Sequence, residues 1–547
     1  MKRMKMGIAV LITAALLLVC MTPLAVFADN TRYPTPGGYN DNDYQKLVTF
    51  LELEDESGVR NGEKISENYD PQDPTTWEGT TWENGNIFQI DFYDRNLIGK
   101  LDVSNCTELV ELDCSYNQLT ELDISNNTAM WYLDCGLNQL TELDVSNNTA
   151  LVELDCGYNQ LTELDISNNT ALEDLTCYNN QLTELDISNN AALVELYCGN
   201  NQLTELDISN NTAMWYLDCG DNQLNELDVS NNTALEDLWC FNNQLTELDI
   251  SNNTALVDLT CYDNQLTELD VGNNTALVEL VCFNNQLTEL DVSNNTALVY
   301  LNCGYNQLTE LDISNNTALE HLVCDNNQLT ELDISNNTAM WILSCRNNQL
   351  TSLNLESSYS LSFLADRVEA EGNGFIAVDL YSEVEDYTYF GCVYAEPKSG
   401  STFIGWYDEN GVLLSSEAEF DISDANSTVF IAKFEGGSPE LTEYTVTINH
   451  NENGATDPTA GSYTVADGEE IAITITPDEK YMVQSVLVNG VETVTEIVEN
   501  VLTLTITGDT TVEVVFTKIP KTGAIALTSM AIMSMISGAA IIIYKKK

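Results

Sequence analysis

From about residue 98 to 356, apolar positions return with a period of 21 residues. One unit covers residues 151–171, with Leu151, Leu154, Cys156, Leu161, Leu164 and Ile166 set among acids, amides and hydroxyls. It has two halves, L-x-x-L-x-C-x-x-N and L-x-x-L-D-[IV]-x-x-N, whose starts lie 10 and 11 residues apart. Cysteines mark the period at 114, 135, 156 and onward to 345, twelve units in all. In Glu163-Leu164-Asp165-Ile166 apolar and acidic residues alternate, so two side chains face in and two face out. One coil of this length cannot bury its own apolar face, but a stack of coils buries a continuous core. Asn117, Asn138 and Asn159 fall where each coil must turn, and an Asn amide can hydrogen-bond along a stack. The pattern predicts a parallel strand at the Cys half and a second strand or extended segment at the Leu-Asp half. Twelve rungs at ~4.8 Å would span roughly 58 Å.

The flanks read differently. Residues 29–97 hold a predicted helix, Asp43 to Leu53, then a Pro/Gly-rich segment with Trp77 and Trp82; a solenoid needs such an N-terminal cap. Ser352 and Asn354 replace the Glu and Asp of the pattern, so the array ends near 356, and 357–374 reads as a C-terminal cap or linker. Residues 375–435 and 442–518 are two modules of short alternating strands, joined by a 436–441 linker containing Gly436-Gly437-Ser438-Pro439.

The nested 21-residue unit resembles the leucine-rich repeat of internalin-like bacterial surface proteins. Phe403-Ile404-Gly405-Trp406-Tyr407 and Val429-Phe430-Ile431-Ala432-Lys433-Phe434 resemble the internalin B-repeat, with 442–518 a divergent second copy. The fold class expected is mainly β: a leucine-rich-repeat solenoid of short parallel strands with a small helical N-terminal cap, followed by two small β-rich modules. The resemblance implies a surface protein that binds a host or neighbouring-cell protein or glycan, with the modules as a stalk.

Both termini carry export signals. Basic Met1–Lys5, an apolar run from Ile8 and the small residues of Val26-Phe27-Ala28 form a signal peptide over 1–28, cut after Ala28. Residues 519–547 combine Ile519-Pro520-Lys521-Thr522-Gly523, an apolar stretch from Ala524 to Tyr544 and three terminal lysines. This order resembles a Gram-positive sorting signal. It implies that a sortase cuts between Thr522 and Gly523 and joins Thr522 to peptidoglycan. Ile519 stands where the usual motif has Leu. The membrane is then met only through the C-terminal segment, before processing.

Charge and candidate chemistry narrow the partners. A net charge of −67 argues against nucleic acid, which needs a basic footprint. The Cys column is expected to pack as small hydrophobes, since adjacent rungs sit too far apart for disulfides and no Cys-x-x-Cys occurs. Eleven units repeat a Glu/Asp pair, Glu121/Asp123 to Glu331/Asp333. They read either as a solvated acidic face or as a weak Ca²⁺ column along Glu163, Asp165, Glu184 and Asp186; no other cofactor or metal is implied. The Leu-Asp half is nearly uniform, whereas the Cys half varies. Tyr132, Tyr178, Tyr197, Tyr216, Trp239, Phe241, Tyr262 and Phe283 sit there among acids, the composition of a recognition surface. The variation fits either a binding face or drift after duplication. No nucleophile–base–acid set is present, so an enzyme is not expected. The chain reads as an adhesin-like binding protein, with a structural surface scaffold as the alternative.

Overall fold

A computed structural model describes residues 33–518, except 356–357, 359–360, 362–363, 384–387, 424, 426, 437–442, 467–469, 490, 493–496, 499–500 and 507. The signal peptide ending at Ala28, the sorting signal 519–547 and nearly all of the 436–441 linker lie outside the described residues. Among the described residues no helix is long and apolar enough to cross a membrane. The chain divides into two compact units at about residue 434.

The first unit opens with the cap. Its helix runs Asp41–Leu51, with Asn40 capping the N-terminus by accepting from the Asn42 N–H. The helix buries Tyr44, Leu47, Val48, Phe50 and Leu51, and Trp77 stacks on Tyr44 at 5.4 Å. A hairpin of Thr80–Glu83 and Asn86–Asp91 follows. Its second strand pairs in parallel with Glu111–Asp113, so the cap supplies the first rung of the solenoid sheet and covers its open edge.

From Tyr132–Asp134 to Ile342–Ser344, three-residue strands recur every 21 residues and pair in parallel, in register. The strand lies just before each Cys, its central Leu inward and its two flanking residues outward, as in Glu153-Leu154-Asp155. The Leu-Asp half is an extended segment without a ladder, except at the two ends, where Ile98–Asp102 pairs with Gln118–Asp123 and Ser352–Asn354 pairs antiparallel with Arg367–Glu371. Backbone bonding there passes instead to turns held by asparagine. Asn159 donates to the carbonyls of Cys135, Cys156 and Gly157 at 3.0, 3.1 and 3.2 Å, and accepts from the Leu140 N–H at 2.9 Å. A second column donates in the same way on the other turn, Asn169 to the Val145 and Asn148 carbonyls at 3.0 and 2.8 Å, but its buried Oδ1 accepts no hydrogen bond. All twelve ladder cysteines are free and fully buried. Burial pushes their thiols up, Cys177 to about 12, so they stay protonated and unreactive.

The solenoid sheet closes on Gly374–Glu383, which runs antiparallel to Ile342–Ser344 and pairs with Thr388–Pro397. Trp406, Phe430 and Phe434 form the core of that first module. Gly374 lies against the Phe434 ring, where a Cβ would come within 2.3 Å. The second unit packs Val446, Ile448, Ile473, Ile475, Leu502, Val512, Val514 and Phe516 between its own strands. Gly454 lies against Phe516 in the same way, a Cβ there falling within 2.4 Å of the ring. The two modules thus share one packing device, a glycine under the closing-strand phenylalanine.

Candidate functional site

The alternation of each rung sends the two halves of the unit to two outward surfaces, and the two differ in chemistry. The Leu-Asp surface carries an open groove of about 2550 Å³, lined by Glu163, Asp165, Ser167, Glu184, Asp186 and their equivalents from rung to rung. Each Asp here is occupied locally. Asp165 accepts from the Ser167 N–H at 3.0 Å and Asp186 from the Ser188 N–H at 2.9 Å. The Ser hydroxyl, and then that N–H, hold these exposed carboxyls below their ordinary range. They remain ionised and hydrated, which makes a column of like charge tolerable in water. Among the described residues no three His, Cys, Asp or Glu side chains gather as a metal site.

The strand surface holds acids of the opposite kind. Asp134, Asp174 and Asp218 are raised to about 6 and Asp258 to about 7, in each case chiefly because burial disfavours the charge. No Lys or Arg occurs between Lys100 and Arg346. Ion pairs among the described residues accordingly lie in the cap, at Lys100 and in the first module. The strand surface therefore buries carboxylates with no cation of its own chain to offset them, an expensive arrangement.

The aromatic residues that sequence placed on this surface are all there, but deeper than free surface side chains. Tyr132, Tyr178, Tyr197, Trp239, Phe241, Tyr262 and Phe283 are half-buried, and Tyr216 is buried. They shield one another along the stack because side chains one rung apart stand side by side. Tyr216 lies between Tyr197 at 4.5 Å and Trp239 at 5.6 Å. Phe241, Tyr262 and Phe283 form a separate stack, at 4.8 and 4.4 Å and within 12° of parallel. Tyr132 packs on Trp131, and Tyr178 packs on Tyr158. Toward the end of the solenoid, His321 sits between Tyr300 and Trp341, and burial lowers its pKa.

Three exposed tyrosines escaped the sequence reading. Trp131, Tyr116, Tyr158 and Tyr305 are the exposed aromatics of the repeat rungs, at 37, 49, 50 and 58 %. The three tyrosines stand two positions after Cys, where every unit has a positive φ of about 50°. Eight units fill that slot with Asn or Asp, which accept the left-handed region easily. A Tyr there carries strain and offers its ring to solvent. The signal available was this departure from Asn or Asp at one fixed column.

Residues 367–438 and 444–520 each match the divergent InlB B-repeat domain. No curated protein matches the chain. Among solved structures, the functional domain of InlJ from Listeria monocytogenes, described as including a cysteine ladder, is 29 % identical; the match covers 63 % of this chain and 90 % of that one, with a TM-score of 0.46. The internalin InlF of Listeria monocytogenes is 26 % identical over 45 % of this chain and 76 % of that one, with a TM-score of 0.43. A leucine-rich-repeat protein of Leptospira interrogans is 24 % identical over 48 % and 79 %, with a TM-score of 0.42.

Proposed function

We propose that this chain, an internalin-like leucine-rich-repeat protein carrying divergent InlB B-repeat domains, is a cell-wall-anchored adhesin that grips a macromolecular partner with its strand surface. The observation that carries this reading is the strand surface itself. It combines stacked aromatics, strained exposed tyrosines and buried uncompensated acids, while the opposite surface repeats one solvated motif. Buried aromatic anchors supply interface energy, and a stretched array of them suits a large ligand. Protonated, fully buried thiols are poor nucleophiles, which argues against covalent chemistry at the cysteines.

In this reading the signal peptide 1–28 exports the chain, and a sortase acting at Thr522–Gly523 joins it to peptidoglycan. The two modules then hold the solenoid away from the wall. The partner is a protein or glycan of a host or neighbouring cell. The test is adhesion of cells displaying the full chain with Tyr216→Ala and Trp239→Ala combined. Lost adhesion with an unchanged circular dichroism spectrum supports recognition by this face. Unchanged adhesion leaves the scaffold role and rejects the binding face.

A further inference from the structure

We infer that Asp218 and the rings around it form a receptor for an arginine side chain of a protein partner. The inference rests on the strand surface being the binding face and names the chemistry it recognises. Asp218 is 6 % exposed, one of the most deeply buried acids on the solenoid. Its Oδ1 accepts the Gly220 N–H at 3.0 Å, and no ion pair of the described residues includes it. The strand register puts Tyr197 beside it on one rung and Trp239 on the next, with Tyr216 packed against both, tilted to Tyr197 and edge-on to Trp239.

Glycines admit close-packed rings on the remaining side. A Cβ on Gly199 would come within 2.9 Å of the Tyr178 ring and 3.0 Å of Asp218 Oδ1. A Cβ on Gly220 would come within 2.5 Å of the Phe241 ring. Gly199 thus lets the Tyr178 ring lie beside the carboxylate, and Gly220 lets the Phe241 ring pack against the backbone next to it. A buried anion walled by π faces selects a cation that is flat, weakly hydrated and able to stack. That is a guanidinium, which loses less hydration than an ammonium and can meet the carboxylate with paired N–H donors. A hard metal ion would want several oxygen ligands, and no such cluster forms here. The stretch free of Lys and Arg between Lys100 and Arg346 leaves the neutralising cation to come from outside the chain.

The test is calorimetric titration of the full chain with acetylated hexa-arginine, hexa-lysine and hexa-citrulline peptides, citrulline being the uncharged analogue of arginine. Hexa-arginine should bind several-fold more tightly than hexa-lysine, and hexa-citrulline should not bind. Asp218→Asn should weaken hexa-arginine at least tenfold, whereas Asp207→Asn in the groove should change it less than twofold. Asn302 already occupies the equivalent position in its own rung, accepting from the Gly304 N–H at 3.2 Å, so the Asn variant keeps the fold. Trp239→Leu should narrow the gap between arginine and lysine peptides while leaving Asp218 in place. Equal binding by wild type and Asp218→Asn, an equal loss in Asp207→Asn, or binding of hexa-citrulline would each overturn the receptor. If the Tyr216/Trp239 variant loses adhesion while Asp218→Asn binds hexa-arginine normally, the binding face stands and the arginine receptor alone falls.

Discussion

Replacing Asp218 by Asn should make the protein more stable at neutral pH, the reverse of what deleting a charged hydrogen-bonded residue usually does. Burial raises the Asp218 carboxyl from 3.8 to about 6 in the folded chain. A rise of about 2 pKa units corresponds to about 3 kcal/mol of folding free energy lost once the group is ionised in both states. The sign follows from the raised value: stability is fully present below pH 3.8 and is lost as pH climbs through about 6. The titratable groups around it are Asp221, the hydroxyls of Tyr178, Tyr197, Tyr216 and Tyr262, and the thiols of Cys198, Cys219 and Cys240. None of them brings a positive charge. Asn keeps an acceptor for the Gly220 N–H and removes the buried charge, as Asn302 does in its rung. Urea unfolding at pH 4 and pH 7.5 measures the effect. Asp218→Asn should gain about 2–3 kcal/mol at pH 7.5 and nearly nothing at pH 4. A variant less stable than wild type at pH 7.5, or an advantage that persists at pH 4, would refute the uncompensated-charge argument.

Other expectations follow from the same geometry. Asn159→Ala removes four buried hydrogen bonds and strands backbone groups on two rungs; it should cost about 3 kcal/mol by urea unfolding. Tyr305→Asn relieves a bulky residue at φ 51° and should raise stability by about 1 kcal/mol in thermal melts, and a lower Tm would show that the ring packs usefully. A thiol reagent should label none of the ladder cysteines in native protein and all of them in guanidinium; rapid native labelling would contradict the buried column. Thr522→Ala should abolish release of the protein as a peptidoglycan-linked species from wall digests. Millimolar Ca²⁺ should leave the Tm unchanged, since the groove aspartates accept hydrogen bonds from their neighbouring serines; a Tm that rises with Ca²⁺ would instead point to a calcium column.

Much of this protein follows from its sequence because a repeat turns spacing into position. A period of 21 residues requires equivalent side chains to stack, so the core of Leu, Ile and Cys columns, the turn asparagines and the separation into two outward surfaces were all legible. The modules were legible because Gly405-Trp406 and Ala432-Lys433-Phe434 resemble the internalin B-repeat. Depth and company were not. Spacing says which column Asp218 and Asp207 occupy but not that one is buried beneath rings while the other lines an open groove. That difference arises from the neighbours one rung away, Tyr197, Trp239 and Gly199, about 20 residues distant along the chain. Only the one-sided ladder, with strands at the Cys half and hydrogen-bonded turns elsewhere, determines which acids are desolvated. Local pattern chose the columns, and contact between rungs decided where a charge becomes costly enough to seek a partner.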